Sequence, residues 1–167
     1  MDAPLALDSA MCHETGLDDA EKRCWHQFFH SSTRLLDTLS NLLVEAHGLT
    51  LFDVLMLDLL AKSDSGSARM SDLADAFMLI PSRVTWQIRR LESAGLVQRS
   101  RSRGDRRGVH ASITPEGRAR ARSAMTTYAQ EIRTHYLDRM SRQQMIALGD
   151  GCRRISAPLE VPSGRRD

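Results

Sequence analysis

No run of uncharged apolar residues in this chain approaches the length of a membrane span, and its start lacks the basic-then-apolar order of a secretory leader. Both absences set the expectation of a soluble, cytoplasmic protein. Cysteine is scarce: Cys12, Cys24 and Cys152 are an odd number at wide spacings, which argues against a disulfide framework and suits a reducing compartment. Aromatic residues make up only 5% of the chain, whereas Leu, Ala and Met are plentiful, a balance that favours helices packed on helices. Also missing are a G-x-S-x-G elbow, an H-E-x-x-H pair, a P-loop and a dinucleotide fingerprint. The carboxylates fall where helix caps and solvated faces would put them, so neither catalysis nor a bound cofactor is expected. What remains is a chain of 167 residues, one domain by size with room for a core.

Its net charge of +2 conceals a division. Residues 1–80 hold 5 Lys and Arg against 13 Asp and Glu, while residues 81–167 hold 18 against 8. Within the second half, residues 83–107 contain eight arginines against Glu92 and Asp105. Ordinary solvated faces mix both signs, so a block of this density points to a polyanion.

The basic block is organised. Residues 70–77 (MSDLADAF) form a short helix pattern with Ser71 as the expected N-cap and Leu73, Ala74 and Phe77 on one face. Pro81 opens a second helix to about Ala94, with Gly95 as its stop. Val84, Ile88 and Leu91 make its buried stripe, leaving Ser82, Arg83, Trp86, Gln87 and Arg90 to the opposite face. Two strand runs follow, residues 96–102 and 109–113, the second alternating at Val109, Ala111 and Ile113. The turn between them is Arg103, Gly104, Asp105, Arg106, Arg107 and Gly108, a hairpin tip that contributes cations rather than core. Two short helices and a basic hairpin make a winged helix-turn-helix. In that arrangement the second helix enters the major groove of double-stranded DNA and the hairpin reaches the neighbouring minor groove.

The flanking segments read as helices. Asp18 and Glu21 start one that runs to about His47, with Gly48 as its stop and Trp25, Phe28, Phe29, Leu35, Leu36, Leu39, Leu42 and Leu43 as its apolar set. Thr50 and Asp53 start a second, residues 50–63, apolar nearly all round. A third runs from Pro115 to about Met140, and Ser141 with Gln144 caps a last one carrying Met145, Leu148, Cys152 and Ile155. Long terminal helices with such stripes exceed what one small core covers, which predicts a homodimer; packing within one chain is the alternative. The expected organisation is a flexible segment 1–17, dimerisation helices 18–48 and 114–158, a winged helix-turn-helix lobe 49–113, and a flexible tail 159–167.

Residues 69–99 (RMSDLADAFMLIPSRVTWQIRRLESAGLVQR), Asp105-Arg106-Arg107 in the wing and Thr114-Pro115-Glu116-Gly117 after it resemble the MarR family of bacterial transcription regulators. The chain departs from that family in placing Ile80, not serine, before the recognition helix. The resemblance implies a mainly α fold with a small β-hairpin wing, and a homodimer that binds a pseudo-palindromic operator, with repression the usual outcome. It also implies release by a small aromatic or phenolic acid held where the dimer helices meet the lobe. Candidates for that site are Trp25, His26, Phe29 and His30 on the first helix and Met56 on the second. It implies, too, that a basic residue at Arg90 pairs with the wing acid, making Asp105 a brace for the arginines beside it.

Among the reading residues, Arg83 suits guanine and Gln87 suits adenine, since each matches those bases with two hydrogen bonds. Trp86 is open between a thymine methyl or sugar and a cover for the lobe's own core. Arg103, Arg106 and Arg107 are the candidates for a narrow minor groove. Rival readings are redox sensing at Cys24, metal binding by His26 and His30 with Cys12 and His13, and a winged helix that binds protein; the first two lack a thiolate-stabilising neighbour and a third fixed ligand.

Overall fold

A computed structural model of the chain describes residues 16–101 and 108–159. Helix α1 (Asp19–His47) begins where Asp18 accepts from the amides of Ala20 and Glu21 at 2.7 and 2.9 Å, while Glu21 accepts from the Asp18 amide at 2.8 Å. It stops at Gly48, whose φ of 66° is left-handed and whose amide closes on Val44. Helix α2 (Leu51–Lys62) opens on the reciprocal bonds of Thr50 and Asp53. Leu51, Val54, Met56, Leu57 and Leu60 are all buried along it, so α2 is the central rod of the core, as its apolar circumference predicts.

The winged lobe wraps one side of that rod. Strand β1 (Ser67–Arg69) leads directly into α3 (Met70–Ala76), then α4 (Pro81–Ser93), β2 (Val97–Arg101) and β3 (Val109–Ile113). The sheet is antiparallel in the order β1-β3-β2, with Ala68 opposite Ala111 and Arg99 opposite Ala111 on the other side. Strand β1, three residues long, is too short to show a period and was not anticipated. Its presence also corrects the expected cap of α3: Arg69 leaves the strand in extended geometry and occupies the N-cap position, while Ser71 lies inside the helix and bonds Asp72. Val84, Ile88 and Leu91 are buried in one cluster with Leu57, Leu60 and Leu73, as the stripe on α4 predicts.

Helix α5 (Pro115–His135) starts on Thr114, whose hydroxyl accepts from the Gly117 amide at 3.0 Å and donates to the Gly95 carbonyl at 2.8 Å. It ends at His135, not near Met140: Tyr136 leaves helical geometry and a single 3-10 turn (Leu137–Arg139) follows. Helix α6 (Arg142–Ser156) is capped by Ser141 and Gln144 as expected, yet it buries no residue. Along its apolar stripe Met145, Leu148 and Cys152 are half-buried and Ile155 is exposed. Among the described residues, no helix is long and apolar enough to cross a membrane.

Candidate nucleic-acid interface

Helix α4 is held by its apolar stripe, and what it turns outward is set by the remaining positions. Ser82, Arg83, Trp86 and Arg89 are exposed on it. Trp86 is 63% exposed, so it does not cover the core of the lobe. The Arg90 guanidinium lies over its ring at 5.9 Å from the centroid, within cation-π range. Arg89 was missed from the sequence, although its place three residues after Trp86 puts it on the same face.

Gln87 and Arg90 correct the expected face. Gln87 is 7% exposed, because it sits three residues after Val84 and four before Leu91, inside the buried stripe. Its amide donates to Asp53 Oδ1 and, at 3.4 Å, to Thr50 Oγ1. Arg90, half-buried, is ion-paired with Asp53 Oδ2 and also donates to Thr50 Oγ1 at 3.4 Å. Neither side chain faces outward as a base reader. Asp53 is fully buried, and its Oδ2 also accepts from the Thr50 amide at 2.7 Å and the Thr50 hydroxyl at 2.8 Å. A buried carboxylate is tolerated only when its charge is matched and its lone pairs are filled, and these donors do both. The sequence marked Asp53 as a capping residue; its second task, tying α2 to α4, had no local signal.

The wing is anchored at its root. Glu92, near the end of α4, accepts from the Arg99 amide at 3.1 Å and from Arg99 Nε at 2.7 Å. Those bonds hold the Glu92 carboxyl below its ordinary value, with the Arg89 charge adding a smaller contribution. A groove between the start of α3, α4 and the wing root is lined by Arg69, Ser71, Thr85, Arg89, Arg99 and Gly108. The guanidinium groups of Arg69, Arg89 and Arg99, on β1, α4 and β2, give it cations suited to a phosphate backbone. A second, shallower depression is lined by Ile80, Ser82, Arg83 and Trp86. Ser102, Arg103, Asp105, Arg106 and Arg107 lie outside the described residues, so the expected minor-groove contacts and the Asp105 brace concern a segment about which the structure is silent. Among the described residues the carboxylate partner of Arg90 is Asp53, where the resemblance implied the wing acid.

The residues expected to hold an aromatic acid are not all brought together. Trp25 packs against Phe28 and Phe29 with ring centroids 6.1 and 6.0 Å apart, and all three are exposed. His26 is half-buried and its Nε2 has no hydrogen-bond partner, while His30 is exposed. Met56 is fully buried within the core cluster and presents no surface to a ligand. Cys24 is exposed, and Cys12 and His13 lie outside the described residues. Among the described residues no group of three or more His, Cys, Asp or Glu side chains is placed to hold a metal ion.

Comparison with known proteins agrees with this geometry. A sequence model described as MarR family matches residues 50–109, from the cap of α2 to the start of β3. The crystal structure of AbsC, a MarR family transcriptional regulator from Streptomyces coelicolor, is 31% identical, with a TM-score of 0.79 over 86% of this chain and 96% of that one. Sco3205, a MarR family transcriptional regulator of the same organism solved in complex with DNA, is 28% identical with a TM-score of 0.83, over 89% of this chain and 92% of its own. The S. aureus MepR-DNA complex shares the fold at 16% identity, with a TM-score of 0.72 over 80% of this chain and 96% of that one. No curated protein sequence matches the chain.

Proposed function

The chain belongs to the MarR family of transcriptional regulators, and from that premise we propose that it is a homodimeric repressor of a pseudo-palindromic operator, released by a small aromatic acid. DNA binding and transcription regulation come with the family. The observation that carries the finer reading is the outward face of α4, where Ser82, Arg83, Trp86 and Arg89 stand beside a groove of arginines at the wing root.

In this reading α4 enters the major groove, Arg83 reads a guanine, and Arg89 with Arg99 lies along phosphates. Arg103, Arg106 and Arg107 enter the minor groove from the wing tip, with Asp105 orienting them. Gln87 and Arg90 act from behind the reading face, through Asp53. One lobe covers a half-site, so two lobes about 34 Å apart supply affinity and specificity. The exposed apolar surface of α1 and the unburied stripe of α6 support the pairing that fixes this spacing. Trp25 and Phe29, whose exposed rings stand 6.0 Å apart, with His26 and its enclosed, unpartnered Nε2 on the same helix, support an aromatic acid site near the start of α1.

The test is footprinting of the full chain on the DNA flanking its own gene, with and without benzoate and salicylate as probes, at graded salt. Two protected half-sites one helical turn apart, with affinity falling steeply as salt rises, are expected. A flat salt dependence would remove the DNA reading. A single protected half-site would remove the dimer, and protection unchanged by every acid tried would remove the aromatic effector.

A further inference from the structure

The reading face of α4 is less polar than a purely phosphate-seeking surface requires. Met78, at the turn before it, is 93% exposed, Ile80 67% and Trp86 63%. Large apolar groups held in water beside arginines mark a surface that something covers. Ile80 and Trp86 form the apolar walls of one depression, and Ser82 and Arg83 supply its polar edge. The Trp86 ring is also braced: Arg90 lies against it, and Arg90 is tied to buried Asp53 on another helix. An exposed tryptophan fixed in this way is organised before it binds anything.

Resting on the DNA reading above, we infer that Ile80 and Trp86 form a slot for the 5-methyl group of a thymine in the major groove of each half-site. The occupant follows from chemistry. A basic lobe selects DNA, and on the edges of base pairs in the major groove the thymine methyl is the apolar group on offer. Arg83 and Arg89 flank the slot on the same face, so the methyl is delivered by the polyanion those cations attract. Trp86 and Ile80 are then specificity-determining residues, and Asp53 and Arg90 are positioning residues behind them.

Uracil differs from thymine only by that methyl, which makes the inference separable from DNA binding itself. A randomised duplex library is enriched on the full-length protein, and the selected operator is remade with uracil at each thymine in turn. Loss of a buried methyl weakens binding about fourfold per half-site, and this loss is expected at one thymine position of each half-site. Trp86→Ala should weaken binding to the thymine duplex by a similar factor and show no further loss with uracil, so the two changes are not additive. Ile80→Ala should behave the same way, and both sites are exposed enough for the variants to fold.

Equal binding of thymine and uracil at every position would overturn the slot while leaving the DNA reading intact. A methyl effect that persists undiminished in both variants would likewise overturn it. Failure of any duplex to enrich would remove the DNA reading, and the slot with it.

Discussion

The carboxylate of Asp53 on α2 is ion-paired with the guanidinium of Arg90 on α4, and the same carboxylate takes the Gln87 amide. One buried acid on the central rod thereby sets the roll and depth of the reading helix. Asp53→Ala removes the only matched charge for Arg90 among the described residues and leaves the Gln87 amide without its main acceptor. A loss of roughly 2–3 kcal/mol in urea unfolding is expected, because the buried Gln87 amide loses its acceptor while half-buried Arg90 recovers part of its hydration. Gln87→Leu leaves the ion pair and costs about 2 kcal/mol, the loss of a hydrogen bond to a charged acceptor and of a longer one to Thr50. If Gln87→Leu proved the more damaging of the two, Asp53 would not be the centre of the network.

This cluster also shows where the sequence stops being legible. The starts of α1, α2 and α6 were readable because a capping box is a bond between residues three apart, as at Asp18 and Glu21. The stripe of Val84, Ile88 and Leu91 was readable from period alone. Gln87 was not, since its polar identity argued for the surface while its position argued for the core. Its partner Asp53 stands 34 residues away on another helix. Arg89 lies on the readable face beside Trp86, and Met56 stands on an all-round apolar helix, a pattern that encloses its residues rather than opening them to a ligand. Strand β1 exists only because β3 pairs with it, a contact across 43 residues for Ala68 and Ala111 that no local pattern announces.

The wing root should respond to acid. Glu92 is held below its ordinary value of 4.5 by the bonds from Arg99, so the folded protein binds this proton less readily than the unfolded chain does. The clamp's contribution is therefore present above the ordinary carboxylate range and is lost as pH falls through the lowered value. The protection of the β2 and β3 amides, measured relative to the intrinsic exchange rate at each pH, should fall over that acidic window. Glu92→Gln, which cannot ionise, should show lower protection at neutral pH and no further fall with acid; an unchanged protection profile would assign the acid response elsewhere.

Gly117 is a position where a single methyl should matter. It is buried in the first turn of α5, and a Cβ built there would collide with the Leu96 carbonyl and crowd Ile113. The Leu96 carbonyl is not free to retreat, since it accepts from the Thr114 amide at 3.0 Å. Gly117→Ala is expected to cost about 1–3 kcal/mol through overpacking at the seam between the wing and α5. The measurement is thermal unfolding beside Gly48→Ala, which meets open space but must adopt left-handed geometry. A neutral Gly117→Ala would mean that the start of α5 slides away from β2 without penalty.

Helices α1 and α6 leave large apolar side chains open in the described chain. Trp25, Phe28, Leu36, Ile146 and Ile155 are all exposed on them, and α6 buries nothing. An amphipathic helix of 15 residues gains most of its stability from packing, so α6 needs a partner to persist. Pairing of two copies through these faces predicts a dimer in sedimentation velocity at micromolar concentration. Leu148→Glu with Ile155→Glu places carboxylates on the α6 stripe and should shift the population to monomer, with loss of helix content confined to a minor fraction of the circular dichroism signal. On DNA the same variant should bind one-half-site and two-half-site duplexes alike, where the unaltered protein prefers two. A variant that remains dimeric would move the interface to α1 alone.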